Sequence, residues 1–384
     1  MKNILVFLSH QPNPRFIKQI NYLAESNQVC VIYFSRVSLP NLNSNIASNV
    51  RCFPVGQLES SGQYLSRLIS YAKAIGTLWH CRRQVRAEVV ITNNIDVLLL
   101  EALMQAVTLR SAKVVLEVSD LLQYMFSRGL VARLFRAIDQ TLVRLFVDRL
   151  IVTSIKYYDV YYSKFFRGPL LELENKPLRK NVPPKNQRGA SGGRIVIGVV
   201  GLIYQAAPIQ ALFDAVEGND SVEVQIYGRL YDAQNSKALI ESYCAKRRNI
   251  IFKGEYDFFR DAASIYGGLD LLYVSYDTSD SMLNNRVALP NKLYEAMYFR
   301  VPIIASRGTY LAERVMAVGI GYEIDCGSVA QIWDILKSHS ERVEDFEKAF
   351  EALPQETYFA DHDYQDFGRF VVASDDTSYL YGSK

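Results

Sequence analysis

Short apolar runs rich in Val and Ile alternate along the chain with longer segments whose apolar positions recur at helical spacing. The runs ILVFL (4–8), VCVIYF (29–34), EVVIT (88–92), KVVLEV (113–118) and RLIVTS (149–154) come first. Their alternation with helical segments predicts β-α-β units and a parallel sheet. Residues 174–194, ENKPLRKNVPPKNQRGASGGR, then gather Pro, Gly, Asn and Lys without apolar periodicity, as a linker does. The pattern restarts with RIVIGVVG (194–201), VEVQIYG (222–228), NIIFKG (249–254), LDLLYVS (269–275), VPIIAS (301–306) and GIGYEID (319–325). A second doubly wound sheet is therefore expected. The reading is an α/β chain of two Rossmann-like domains facing across a cleft: one over 1–180, a linker over 181–193, a second over 194–357, and a terminal helix and tail over 358–384.

Two helical segments carry more than periodicity. Residues 130–149 repeat Val131, Leu134, Phe135, Ile138, Leu142, Leu145 and Phe146 on one stripe, with Arg133, Arg136, Gln140, Arg144 and Asp148 on another. Residues 64–86 combine Tyr64, Tyr71 and Trp79 with Arg82, Arg83 and Arg86, a mixture that suits a lipid headgroup boundary. Most amphipathic helices of this kind simply cover a core.

At 384 residues the chain exceeds one ordinary core and fits two domains. Its net charge of +3 conceals a division: residues 1–180 hold 23 Lys and Arg against 12 Asp and Glu, which leaves 20 against 28 in the remainder. A basic first half facing an acidic second half points to an anionic surface met by one lobe. An anionic membrane fits better than nucleic acid, because the arginines interleave with bulky aliphatics and no nucleic-acid module is recognisable. The opening apolar run is too short for a signal peptide, and no stretch reaches the length of a membrane span. Five scattered cysteines suggest neither a disulfide framework nor a zinc cage. The expected location is cytoplasmic, peripheral at the inner face of the plasma membrane.

Ligands of open parallel sheets sit at the carboxyl ends of the strands. The segment ALPNKLYEAMYFRVPIIAS (288–306) reads there as loop, helix and strand. Pro290 suits a first helical turn, Leu293, Ala296 and Met297 form the buried stripe, and Lys292 and Glu295 are neighbours on another face. A lysine at the positive end of the helix dipole is unfavourable unless an anion is near, which a phosphate would supply. Glu295 could accept bonds from vicinal ribose hydroxyls. The same spacing also describes a surface ion pair.

P-N-K-L-Y-E-A-M-x-x-x-V-P-I-I-A resembles the nucleotide-binding motif of the GT-B glycosyltransferases, especially the bacterial family-4-like enzymes of surface polysaccharide assembly. G-V-V-G-L-I at 198–203, Q-I-Y-G-R at 225–229 and N-I-I-F-K-G-E-Y at 249–256 resemble successive elements of the same domain. The resemblance implies a hexosyltransferase acting on a nucleotide sugar, UDP favoured over GDP, with a glycan or lipid-diphosphate-linked acceptor. It places Glu295 on the ribose, with Asn291 beside it.

Three departures accompany it. Where the family's second glutamate stands, this chain has Val287; GLIYQAAP (201–208) lacks the usual arginine and lysine for the diphosphate; and the glycine before V-P is Arg300. Lys292 and Arg229 are the substitutes for the missing cations, and Gly201 and Gly228 could let backbone amides approach a phosphate. With no D-x-D in place, neither metal nor other cofactor is expected. On the acceptor side, Asp120 follows a strand and could act as general base, with an N-cap as its plain alternative; His10 lies at the same edge. The departures keep two other functions open: an inactive sugar-binding or partner subunit, and a nucleotide-sugar epimerase.

Overall fold

A computed structural model describes residues 1–36, 43–58, 64–108, 112–185, 193–203, 205–231, 236–279 and 282–373, with backbone only at 43, 64–68 and 236. Most of the expected linker and the tail beyond 373 lie outside the described residues, as does the side chain of Tyr64. Chain contacts divide the protein into two units: residues 1–174 together with the chain from His362 onward, and Asn175–Asp361.

The first unit holds a seven-stranded sheet: β1 (Asn3–Leu8), β2 (Gln28–Arg36), β3 (Arg51–Leu58), β4 (Val89–Thr92), β5 (Lys113–Val118), β6 (Arg149–Val152) and β7 (Leu170–Glu172), in the order 3-2-1-4-5-6-7. All its pairings are parallel. The second unit holds β8 (Ile195–Val200), β9 (Val222–Tyr227), β10 (Ile250–Gly254), β11 (Leu271–Val274), β12 (Ile303–Ser306) and β13 (Gly321–Ile324), ordered 10-9-8-11-12-13 and again parallel. Helices cover both faces of such sheets, so inner strands are buried on both sides and mostly apolar: β4, β6, β11 and β12 are buried at every position. Strand order reverses between β1 and β4 and between β8 and β11, which creates one switch point in each unit.

Sequence patterning foretells eleven of these strands and misses β3 and β7. β3 carries Pro54 and Gly56 and is half-exposed, and its register with β2 shifts between Tyr33 and Phe34. Proline is tolerated at an edge because one side of an edge strand has no ladder to donate to. β7 is three residues long.

The chain's last helix, Asp363–Val372, buries Tyr364, Phe367, Phe370 and Val371. It belongs to the first unit: Tyr364 meets Tyr22 edge-on at 5.3 Å, and Arg149 on β6 donates to the carbonyls of Val371 (3.2 Å) and Ala373 (2.7 Å). Among the described residues no helix is long and apolar enough to cross a membrane.

Candidate functional site

At the carboxyl edge of the second sheet, three glycines follow or end neighbouring strands with positive φ: Gly201 (117°) after β8, Gly228 (133°) after β9 and Gly254 (84°) closing β10. The Gly201 N–H donates to Tyr227 O at 2.8 Å and the Gly228 N–H to Gly254 O at 2.7 Å, so the ladder continues through them. A Cβ on Gly228 would lie 1.8 Å from Gly201 O, an impossible contact. A Cβ on Gly201 would come within 2.8 Å of Lys292 Cε and 3.2 Å of its Nζ. The absent side chain at Gly201 is thus replaced in space by the lysine.

Lys292 opens the helix Lys292–Phe299, whose N-cap is Asn291. Pro290 falls just before that cap and sends its carbonyl to the Leu293 N–H, while the Asn291 carbonyl takes the Tyr294 and Glu295 N–H groups. Asn291 Oδ1 also accepts from Asn175 at 2.9 Å. Leu293, Ala296 and Met297 are buried, as their spacing requires. The helix ends at Arg300, which adopts a left-handed φ of 62° while the Val301 N–H returns to Ala296 O. That conformation explains the glycine usual at this place in the related pattern: no Cβ has to be accommodated.

Lys292 and Glu295 do pair, at 3.3 Å, but not on the surface: their side chains are only 16% and 9% exposed. The pair is instead enclosed by tyrosines. Tyr266, fully buried and stacked on Phe299 at 4.9 Å, donates its hydroxyl to Glu295 Oε2, the same oxygen that receives Lys292. The Tyr256 hydroxyl lies against the Lys292 ammonium. Burial opposes the charge on Lys292, yet Glu295, Tyr256 and Tyr276 outweigh it and hold the ammonium's pKa above its ordinary value. Enclosing an ion pair costs desolvation on both sides, so burial of this one is poor evidence for a purely stabilising part. Among the described residues both protein bonds to Glu295 fall on Oε2, which leaves Oε1 for a ligand hydroxyl.

The switch point between β8 and β11 holds a pocket of about 50 Å³. Val200, Ile203, Ile209, Gln205, Ser275 and Tyr276 line it, enough for a water molecule but not for a nucleoside. Gln205 Oε1 accepts from the Asp277 N–H at 2.9 Å, whereas its buried Nε2 has no partner among the described residues. Ser306 Oγ bonds both Ser275 Oγ (2.7 Å) and the Tyr276 N–H (2.9 Å), which fixes the loop after β11. Of the other expected residues, Arg229 lies on the same edge, but Glu255 engages its guanidinium at 3.2 Å with both side chains 66% exposed. Val287 is buried. Asp270 accepts from the Val196 N–H at the amino end of β11, a structural bond.

In the first unit, His10 falls at the switch point between β1 and β4. Its Nδ1 lies 2.7 Å from Gln11 O and its Nε2 3.3 Å from Asn93 Nδ2. A carbonyl can only accept, so Nδ1 carries the proton and Nε2 receives Asn93. Burial lowers the ring's pKa, consistent with that neutral form. Asn93 and Asn94 tie down the turn after β1: Asn93 Oδ1 takes the Ser9 N–H at 3.0 Å, and Asn94, at φ 31°, donates to Ser9 Oγ at 2.8 Å. Asp120 is exposed just past β5. The plain reading of it as an N-cap does not hold, because the helix that follows is Gln123–Phe126 with Leu122 at the cap.

Sequence reasoning missed the tyrosine enclosure and a buried cluster one strand away. Glu117 on β5 accepts from Gln19 Nε2 at 3.0 Å and forms an ion pair with Arg15, Nε lying 3.0 Å away, beside Lys18, whose pKa burial lowers to about 8. A carboxylate inside the apolar run KVVLEV was the signal that could have revealed it.

The chain matches no family model. The succinoglycan biosynthesis protein ExoL of Rhizobium meliloti (strain 1021) is 25% identical over 292 residues, 72% of this chain and 70% of that one. Sucrose-phosphate synthase (tll1590) from Thermosynechococcus elongatus superposes with a TM-score of 0.72 at 14% identity, over 96% of this chain and 98% of its own. Anabaena Alr3699/HepE in complex with UDP gives 0.70 at 14% identity, over 96% and 99%. The chain has the GT-B fold, two Rossmann-like units in one polypeptide.

Proposed function

We propose that this protein is a GT-B glycosyltransferase of bacterial surface polysaccharide assembly. It moves a hexose from a nucleotide sugar, UDP-linked in preference to GDP-linked, to a glycan acceptor carried on a lipid diphosphate. The carrying observation is Glu295, whose Oε2 is held by Tyr266 and Lys292 while Oε1 is left for the ribose hydroxyls. The Anabaena structure that holds UDP and the succinoglycan role of the Rhizobium relative support the same reading.

In this scheme Lys292, seated over Gly201, neutralises charge on the departing diphosphate, and the amides around Gly201 and Gly228 assist it. Asn291 and His10 contribute substrate contacts, and Arg229 reaches a phosphate by exchanging Glu255 for it. No metal takes part. The bond from the sugar's anomeric carbon to the diphosphate breaks, and a bond to an acceptor hydroxyl oxygen forms. Asp120 removes that hydroxyl's proton if configuration inverts; if it is retained, Asp120 orients the acceptor and the proton passes to the departing diphosphate. The enzyme works in the cytoplasm, attached peripherally to the anionic inner leaflet.

The test is thermal stabilisation by a panel of UDP-, GDP- and TDP-sugars. A ligand at one hundred times its Kd adds about 2.7 kcal/mol, and Glu295→Ala is expected to abolish the shift. An unchanged shift in that variant removes the ribose role. A second reading, an inactive binding subunit, is favoured by the apolar, buried Val287 where a carboxylate is usual. Donor binding without transfer or hydrolysis would select it, and turnover of donor without acceptor would select an epimerase.

A further inference from the structure

Large exposed apolar side chains are distributed unevenly. In the first unit, all of those described except Met1 lie on three helices: Tyr64–Gln84, Ile95–Thr108 and Leu130–Phe146. The first two cover the same face of the sheet, through Ala74, Leu78, Val97, Leu100 and Met104 in one shared core. The third packs beside the second, on the side that right-handed crossovers impose. Together they form one layer.

The outer side of that layer is apolar. Leu130–Phe146 buries Ala132, Asp139, Leu142 and Val143, whereas Val131, Leu134, Ile138 and Leu145 form a separate stripe, 69%, 60%, 38% and 70% exposed. Most of the stripe that the sequence offers as a core face is thus turned outward. Leu99, Leu103 and Val107 repeat every fourth residue on the neighbouring helix, and Ile69, Ile75 and Trp79 extend the surface across the first.

Charge selects the occupant. Every exposed charged side chain described on these helices is cationic: Lys73, Arg83, Arg133 and Arg144. The acids are turned inward or bonded, Asp96 to Tyr71, Glu101 to Arg82 and Asp139 to Tyr161. Arg83 lies 4.6 Å over Trp79, a pairing of ring and cation suited to a headgroup boundary.

We propose that this three-helix layer is the face by which the protein lies on an anionic bilayer, with the leucine stripes in the acyl boundary and the arginines among the headgroups. The inference rests on the peripheral attachment proposed above and assigns its surface. The full chain is to be sedimented with vesicles of phosphatidylcholine alone or mixed with phosphatidylglycerol. Binding is expected only with the anionic lipid and is expected to fade with salt. Leu103→Glu with Leu134→Glu should weaken partitioning by about tenfold or more, and Arg133→Glu with Arg144→Glu by about fivefold per charge. Met316→Glu, at an exposed position of the other unit, should change nothing. Independently of any loss-of-binding variant, emission from Trp79 in a Trp333→Phe background should shift to the blue on binding.

If the unsubstituted protein sediments and the layer variants do so equally, attachment stands and this surface is wrong. If it binds no vesicle, the attachment itself falls. Self-association that Leu134→Glu abolishes, seen by analytical ultracentrifugation, would make the layer an interface between copies and overturn the proposal.

Discussion

The two units bury charge in opposite ways. In the first, Arg82 and Glu101 are both fully buried; the guanidinium meets Glu101 Oε1 through Nη2 at 3.0 Å and through Nε at 3.2 Å, and caps Val85 O at 3.0 Å. Burial pushes the Glu101 carboxyl above its usual range despite the arginine beside it. In the second, Lys292 and Glu295 sit at a sheet edge, slightly open, with one carboxylate oxygen unbonded among the described residues. A pair that saturates itself fastens one helix to another, whereas a pair that keeps capacity in reserve can serve a ligand.

That contrast can be broken most forcefully at Arg82. Arg82→Ala strands a carboxylate in the core and should cost about 3–5 kcal/mol in denaturant unfolding of the first unit; a loss below about 1 kcal/mol would deny it a structural part. The buried Asp139 should leave a similar signature in pH. Desolvation raises its carboxyl from 3.8 to about 6, against the pull of Tyr161 and Tyr124. The folded chain then keeps a proton that the unfolded chain has lost. The contribution of this group to stability is fully present below pH 4, falls as pH rises to about 6 by something on the order of 2–3 kcal/mol, and is gone above. Asp139→Asn should flatten that slope in melts at stepped pH.

Glu295→Gln should behave differently. It leaves Tyr266 an acceptor but deprives the mostly buried Lys292 of its counter-charge, so it is expected to cost about 1–3 kcal/mol, less than Arg82→Ala, while erasing stabilisation by a nucleotide sugar. A collapse in stability instead would put the pair in the same class as Arg82–Glu101. The smallest effect is expected at Arg300→Gly, which relieves a left-handed residue at the end of the same helix and should raise stability by about 0.5–1 kcal/mol, less whatever the exposed contact to Glu351 contributes.

Legibility followed the physics of each region. Central strands such as VVIT and LLYV announce themselves because both faces are buried; the edge strands RCFPVGQL and LLE do not, because half of each meets water. Lys292 and Glu295 were readable as a pair, since helical spacing joins residues three apart. Their enclosure was not, because Tyr266 lies 29 positions from Glu295 in sequence and only the fold brings it there. For the same reason amphipathicity identified Leu130–Phe146 but not which of its stripes turns inward.

The last helix has a consequence for the order in which the protein is made. Because Asp363–Val372 supplies Phe367 and Phe370 to the unit that begins at Met1, the ribosome releases every residue of the second unit before the first can close. The nascent first unit waits, with part of its core missing, until this helix has been made, so a stop codon ahead of Asp363 should leave it a target for chaperones and proteases.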